Sequence, residues 1–248
     1  MDVVTVEQRN PARTASSAGR PSLVEVLGPA ASGKTTLARW LGAHHPGIRA
    51  GMGIGKLGHV PSARTIGALA PLWVRHHRHD RWLDRREMRS IARLETWQRA
   101  LERGRVSDAD VIVFDHGPLY RLARLRGFGP SLTRSEPFRE WWQRTHRYWI
   151  EALDLVVWLE APDDVLLDRV DRRGHWYLSA EPDAEAKREF LAGYRRAFEH
   201  VLDPAESPGT AETAPSVLRI RSDRHTTEQI AEQVLAALAA TPEQEAPR

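Results

Sequence analysis

Residues 23 to 36, Leu-Val-Glu-Val-Leu-Gly-Pro-Ala-Ala-Ser-Gly-Lys-Thr-Thr, leave this chain very few folds to choose from. An apolar run (Leu23, Val24, Val26, Leu27) stops at Gly28, and Gly33, Lys34, Thr35 and Thr36 lead into the helix-like stretch Leu37 to Leu41. Strand, glycine-rich turn and helix in that order and spacing read as a phosphate-binding loop. Gly28 and Gly33 let the backbone curl, so that Pro29, Ala30, Ala31 and Ser32 form a cradle with the N–H groups of the residues after Pro29 turned inward. The helix start adds the positive end of its dipole. Lys34 is placed to reach the outer phosphates as a point charge, and the Thr35 hydroxyl to ligate Mg²⁺. The blander reading is a glycine turn with a chance lysine. It is weakened by composition: the chain has only three lysines (Lys34, Lys56, Lys187) among 36 Lys and Arg residues.

At 248 residues the chain suits one globular domain with room for a lid. A hydrophobic content of 41% and a charged content of 28% are ordinary for a soluble protein. No apolar run approaches the roughly 18 residues needed to span a bilayer, so no membrane partner is expected. The first 22 residues hold no apolar signal-peptide core. The absence of cysteine removes disulfides, thiolate nucleophiles and cysteine-ligated metals, and fits a cytoplasmic location. The net charge is only +3, and acidic residues are interleaved with the arginines almost everywhere, which argues against a nucleic-acid partner. A phosphorylated substrate needs only a local arginine cluster. A homodimer is left open.

Taken in order, residues 1–21 are rich in small polar residues and are expected to be a disordered tail. Residues 22–240 form the domain, and 241–248 a second disordered tail. After the loop helix, Ile48 to Ala50 reads as a short strand. Gly51, Gly53, Gly55 and Gly58 do not have dinucleotide-loop spacing and read as a loop near the site. Residues 62 to 103 show helical periodicity, with Asp84 as a cap for the second of two helices. His76, His77, His79 and Asp80 invite a metal reading, but they lack the i, i+4 spacing of ligands on one helix face, and a solvated helix end fits better. Val111 to Phe114 is a buried strand ending in Asp115, the position where a phosphate-loop protein places its Mg²⁺ carboxylate, although Asp115-His-Gly-Pro118 is also good chemistry for a strand-ending turn. Tyr120 to Arg126 follow, with Arg121 and Arg124 three apart. On a helix they would share a face and either grip a substrate phosphate or lie in solvent. A helix over 136–152 carries Trp141, Trp142 and Trp149, which read as core. A strand over 153–159 leads to a helix over 163–173. Its Arg169, Arg172 and Arg173 enter a lid at about 172–183, unless pairs such as Asp168–Arg172 hold them. A helix over 184–202, a strand over 217–220 and a helix over 226–239 complete a three-layer α/β/α sandwich around a parallel five-stranded sheet.

With these elements placed, the chain resembles the P-loop kinases, and within them the thymidylate and deoxynucleoside kinase group. The resemblance is carried by Gly28 to Thr36, by Phe114-Asp115-His116-Gly117-Pro118, by Leu155 to Pro162, and by the lid-like Arg169-x-x-Arg172-Arg173 with the helix from Lys187 to Tyr194 behind it. It spans residues 22 to 240 in outline, and only the phosphate loop is a specific motif. There are two departures. No acid occurs between Glu25 and Asp80, where deoxynucleoside kinases carry a catalytic carboxylate at the end of the second strand; and residue 116 is histidine, where those families tend to have arginine.

The resemblance implies a kinase using ATP and Mg²⁺ on a small-molecule acceptor, a nucleoside or nucleotide foremost. Lys34, Asp115, Arg169 and Arg173 would be its catalytic residues. Gly28 to Thr36 and Arg172 would hold the nucleotide, Thr35 and Asp115 the metal, and His116, Tyr120, Arg121 and Arg124 the acceptor. Two other readings remain: a polynucleotide 5′-hydroxyl kinase, and an ATP-binding switch or ATPase with no transfer product. A GTPase would need an Asn-Lys-x-Asp motif, and the chain's single asparagine is Asn10.

Overall fold

The computed structural model describes residues 6–7, 20–52, 67, 81–104, 106, 108–173, 183–206, 208–210 and 213–240. The strands are β1 (Val6–Glu7), β2 (Ser22–Leu27), β3 (Ile48–Ala50), β4 (Val111–Phe114), β5 (Leu155–Glu160) and β6 (Ser216–Arg221). The helices are α1 (Lys34–His44), α2 (Arg85–Glu102), α3 (Pro118–Phe128), α4 (Glu136–Ala152), α5 (Asp163–Arg173), α6 (Ala184–Leu202) and α7 (Thr227–Ala239).

The sheet order is β1-β6-β5-β2-β4-β3. β6, β5, β2, β4 and β3 are parallel, as expected for a chain that alternates strand and helix. β1 pairs antiparallel with β6 and makes a sixth strand within the stretch 1–21, which the sequence marks only as a disordered tail. Main-chain pairing along a sheet edge needs no hydrophobic pattern, so two residues of edge strand leave no signal in composition.

β2 lies between β4 and β5, with register Val24–Val113 on one side and Val26–Val157 on the other. Its alternation splits the core. Val24 and Val26 pack with α1 and α7 (Leu37, Leu41, Ile230, Val234). Leu23 and Leu27 pack on the other face with α2, α3, α4 and α6, where Trp142 and Trp149 are fully buried. Trp142 and Trp149 are therefore core, and Trp141 packs half-buried against it. Because the chain leaves β2 towards β3 on one side and leaves the neighbouring β5 towards β6 on the other, the C-terminal ends of these strands form the switch point where α/β sheets bind ligands, with the end of β4 beside them.

Local chemistry sets the helix starts. Asp84 accepts from the N–H groups of Arg86 (2.6 Å) and Glu87 (2.7 Å), and the Glu87 carboxylate accepts from the Asp84 N–H (2.7 Å), a capping box that fixes the start of α2. Arg81 clamps Glu87 with two bonds and reaches the Phe128 carbonyl (3.1 Å), tying α2 to α3. The helix expected before Asp80, the glycine-rich stretch past Met52, the His76–Asp80 group and the core of the lid lie outside the described residues.

Candidate active site

The site grows from the end of β2. Gly28 has φ +145°, and a Cβ there would sit 2.4 Å from the Leu159 carbonyl oxygen, so the loop can turn off the sheet only at glycine. Ala31 takes a left-handed φ of 61°, and Gly33 (φ 100°) caps α1. Lys34 is buried, with its Nζ donating to the carbonyls of Gly28 (2.8 Å) and Pro29 (2.6 Å). Burial lowers its pKa to about 8, against the pull of Asp115. The ammonium is thus held inside the loop by two main-chain carbonyls.

Asp115 ends β4 and faces the loop. The Thr35 hydroxyl donates to its Oδ2 (2.8 Å), and His116 Nδ1 lies 3.3 Å from the same oxygen. The hydrogen bond from His116 holds the carboxyl well below the usual carboxylate range; burial opposes, and Thr35 and Lys34 assist. A hydroxyl and an ionised carboxylate side by side at a phosphate loop are hard oxygen donors of the kind Mg²⁺ takes. The His116 ring stacks edge-on against Tyr120 (4.6 Å), which lies over Tyr194 (6.0 Å).

A buried carboxyl supports this floor. Glu25 of β2 accepts from the N–H groups of Leu119 and Tyr120, both at 2.8 Å, and so caps α3 from beneath. Burial pushes it up to about 8, against those N–H groups and Arg121. A Cβ on Gly117 would come 2.6 Å from the Glu25 carboxyl carbon, so this turn closes only with glycine.

Two cavities flank Asp115 and His116. The first, about 610 Å³, runs along the phosphate loop from Gly28 to Thr36 and on to Phe190 and Tyr194. The second, about 510 Å³, lies between α2 and α3 and includes Asp115 and Trp97. Arg86, His116, Tyr120 and Arg124 belong to both, so the cavities share a wall. Of the expected acceptor residues, His116, Tyr120, Arg121 and Arg124 all meet at the second cavity.

The lid arginines divide. Arg169 reaches the Ala31 carbonyl at 3.5 Å and binds the Ser222 hydroxyl (3.2 Å) and carbonyl (3.0 Å), fastening the phosphate loop to the end of β6. Arg172 pairs with Asp168 at 3.0 Å and is 77% exposed. Arg173 ends α5, and its side chain lies outside the described residues. Arg86, Arg89, Ser90, Arg93 and Trp97 of α2 were not anticipated as site residues. Their signal was present, since 86, 89, 93 and 97 repeat at helical spacing, but on the polar side of a helix read only by its apolar stripe.

A central strand running into a phosphate loop, with an ionised aspartate at the end of the neighbouring strand, is the arrangement of phosphate-loop α/β folds. No family model and no curated protein sequence matches the chain. Among solved structures, deoxyadenosine kinase from M. mycoides with its products dCMP and dCDP superimposes with a TM-score of 0.50 at 12% identity, over 88% of this chain and 99% of that one. The same enzyme with bound dCTP matches with the same TM-score, identity and coverage. At that identity the likeness is one of fold. Among the described residues no helix is long and apolar enough to cross a membrane, and no three His, Asp or Glu side chains form a metal-binding cluster.

Proposed function

We propose that the protein is an ATP-dependent phosphotransferase that moves the γ-phosphoryl group to a small-molecule acceptor, a nucleoside or nucleotide. One observation carries the reading: the Lys34 loop cavity and the arginine-lined cavity share the wall of His116, Tyr120 and Arg124, with Asp115 bonded to Thr35 beside it, as donor and acceptor sites must. The likeness in fold to a deoxyadenosine kinase supports it.

The loop N–H groups and Lys34 hold the β- and γ-phosphates. Thr35 and Asp115 would hold Mg²⁺, which neutralises phosphate charge when bound. Because Asp115 accepts from His116 Nδ1, the imidazole keeps Nε2 as its basic nitrogen. The accepting oxygen bonds to the γ-phosphorus: a hydroxyl against Nε2 gives its proton to that nitrogen as it does so, and a phosphate oxygen attacks already ionised. The bond from that phosphorus to the β,γ-bridging oxygen breaks, and ADP leaves with the electron pair. Arg169 braces the loop, and the lid arginines Arg172 and Arg173 neutralise the transferring group as the lid closes.

The test follows γ-labelled ATP with Mg²⁺ and a panel of nucleosides, nucleoside monophosphates, sugars, sugar phosphates and a 5′-hydroxyl oligonucleotide, with Lys34→Ala as control. A labelled small-molecule product absent from the control is expected. Label on the oligonucleotide alone, or free phosphate with every acceptor, would overturn the reading in favour of a polynucleotide kinase or an ATPase.

A further inference from the structure

The walls of the second cavity are unusually cationic. Arg86, Arg89 and Arg93 present one face of α2, and Arg121 and Arg124 one face of α3. Several arginines elsewhere have acidic partners: Arg81 with Glu87, Arg172 with Asp168, Arg195 with Asp163, Arg221 with Asp223. Among the described residues, no carboxylate is within ion-pair distance of Arg89, Arg93, Arg121 or Arg124, and Asp115 is the only carboxylate in the cavity. The chain itself supplies no acid between Glu25 and Asp80.

Arg121 is the most telling of these. It is only 8% exposed, its Nε has no hydrogen-bond partner, and its Nη1 reaches the Ser90 hydroxyl only at 3.3 Å. Its guanidinium lies 5.1 Å from the Trp97 ring centre. The nearest acid, Glu25, already gives its two oxygens to backbone N–H groups. Burial lowers the Arg121 pKa to about 10, with Arg93 and Arg124 pushing the same way. A buried guanidinium with unsatisfied donors and cationic neighbours is costly alone, and is satisfied by a ligand that brings negative charge and several acceptor oxygens. A neutral nucleoside offers hydroxyl and base acceptors but no negative charge. A phosphomonoester supplies about −1.5 to −2 charges and three oxygens.

We propose that the acceptor carries a phosphate group, which Arg93 and Arg121 bind with Arg89 and Arg124 at their flanks. This rests on the phosphotransferase reading for the word acceptor, and on the arginine wall alone for the phosphate. Arg93 and Arg121 border the acceptor cavity and not the phosphate-loop cavity, so they serve the acceptor and not ATP.

The experiment pairs each alcohol with its phosphate ester: deoxyadenosine with deoxyadenosine monophosphate, glycerol with glycerol phosphate, ribose with ribose 5-phosphate. Transfer and calorimetric binding are both measured on the full chain. The best phosphomonoester should exceed its parent alcohol by on the order of 100-fold in kcat/KM and in affinity. Arg93→Gln, at a half-buried position, should raise its KM at least about tenfold and leave the KM for ATP unchanged. Arg121→Lys, which keeps the charge but not the fork, should do the same. Parent alcohols used as well as their esters, or Arg93→Gln with unaltered KM, would overturn the proposal. If no acceptor is phosphorylated, calorimetry still decides. Monophosphate binding that is lost in Arg93→Gln upholds the phosphate site while the transferase reading fails, and equal binding of alcohol and ester removes the site.

Discussion

The Thr35 hydroxyl and the Asp115 carboxylate meet at 2.8 Å, joining the first turn of α1 to the end of β4 across 80 residues of sequence. Both sit at the C-terminal edge of adjacent parallel strands, so the sheet sets their spacing, and neither loop alone could do so.

Thr35→Val and Asp115→Asn should therefore fail to add. Their double-mutant cycle is expected to give a coupling of roughly 0.5–3 kcal/mol in urea unfolding. Each single variant should lose the Mg²⁺ dependence of nucleotide binding measured by calorimetry. Additive effects with Mg²⁺ dependence intact would show that the pair is only structural.

Lys34→Ala should reduce phosphoryl transfer by at least about 100-fold, the scale of losing one preorganised charge-stabilising donor. Burial sets the Lys34 pKa near 8 in the ligand-free protein, so its cation is present below that pH and is lost above it. kcat/KM for ATP is expected to fall as pH rises through about 8, and a profile flat to pH 9.5 would contradict this.

Gly28→Ala should disrupt the phosphate loop. The new Cβ meets the Leu159 carbonyl oxygen at 2.4 Å and Ser32 Oγ at 2.6 Å, at a φ of +145°. We expect a loss of about 1–3 kcal/mol in stability and of measurable ATP binding. Thermal melts with and without ATP would read both.

Glu25 should impose a pH dependence on stability. Its carboxyl is raised by burial from 4.5 to about 8 in the folded protein, so its contribution is complete below pH 4.5 and is lost as pH rises through about 8. Glu25→Gln leaves one N–H of α3 facing an amide, a cost of about 1–3 kcal/mol at pH 5. The gap from wild type should narrow toward pH 8, because the variant does not titrate there. Urea melts from pH 5 to 8.5 check this, and parallel curves would rule it out.

Arg169 and Arg172 should behave differently. Arg169→Ala frees the Ala31 carbonyl and Ser222 from their shared clamp and should raise the KM for ATP along with lowering kcat. Arg172→Ala in the ground state breaks only an exposed pair with Asp168, worth no more than about 1 kcal/mol, so stability and ATP binding should hold while any loss falls on kcat. Equal changes in KM for both variants would remove the clamp from the account.

The phosphate loop, the strand ending in Asp115, the Asp84 cap and the core tryptophans were legible because each is a local pattern: a turn that only glycine can make, a buried apolar run, a capping box, a helical stripe. The α2 arginines were not legible as a site. Their spacing marked one helix face, but a charged helix face is ordinarily solvated, and nothing local says that a second cationic helix lies opposite. Arg121 and Arg124 show the same limit from the other side, since their i, i+3 spacing fits both a grip and a solvated face. Glu25 is the clearest case. In sequence it is one acid in an apolar strand; only when β2 passes beneath the start of α3 does it become the cap of that helix.

Sequence by itself determined the local chemistry of this protein: a glycine-rich phosphate-loop pattern at the end of an apolar strand, alternating elements that force a parallel sheet, and no cysteine chemistry. It could do so because backbone sterics and hydrophobic period act over a few residues. The tertiary structure decided which distant charges face one another: Thr35 with Asp115, Arg169 with Ser222, and five arginines around one cavity. Those pairings depend on strand order and helix packing, where the energy of a charge is set by neighbours far away in the chain and by the water they exclude.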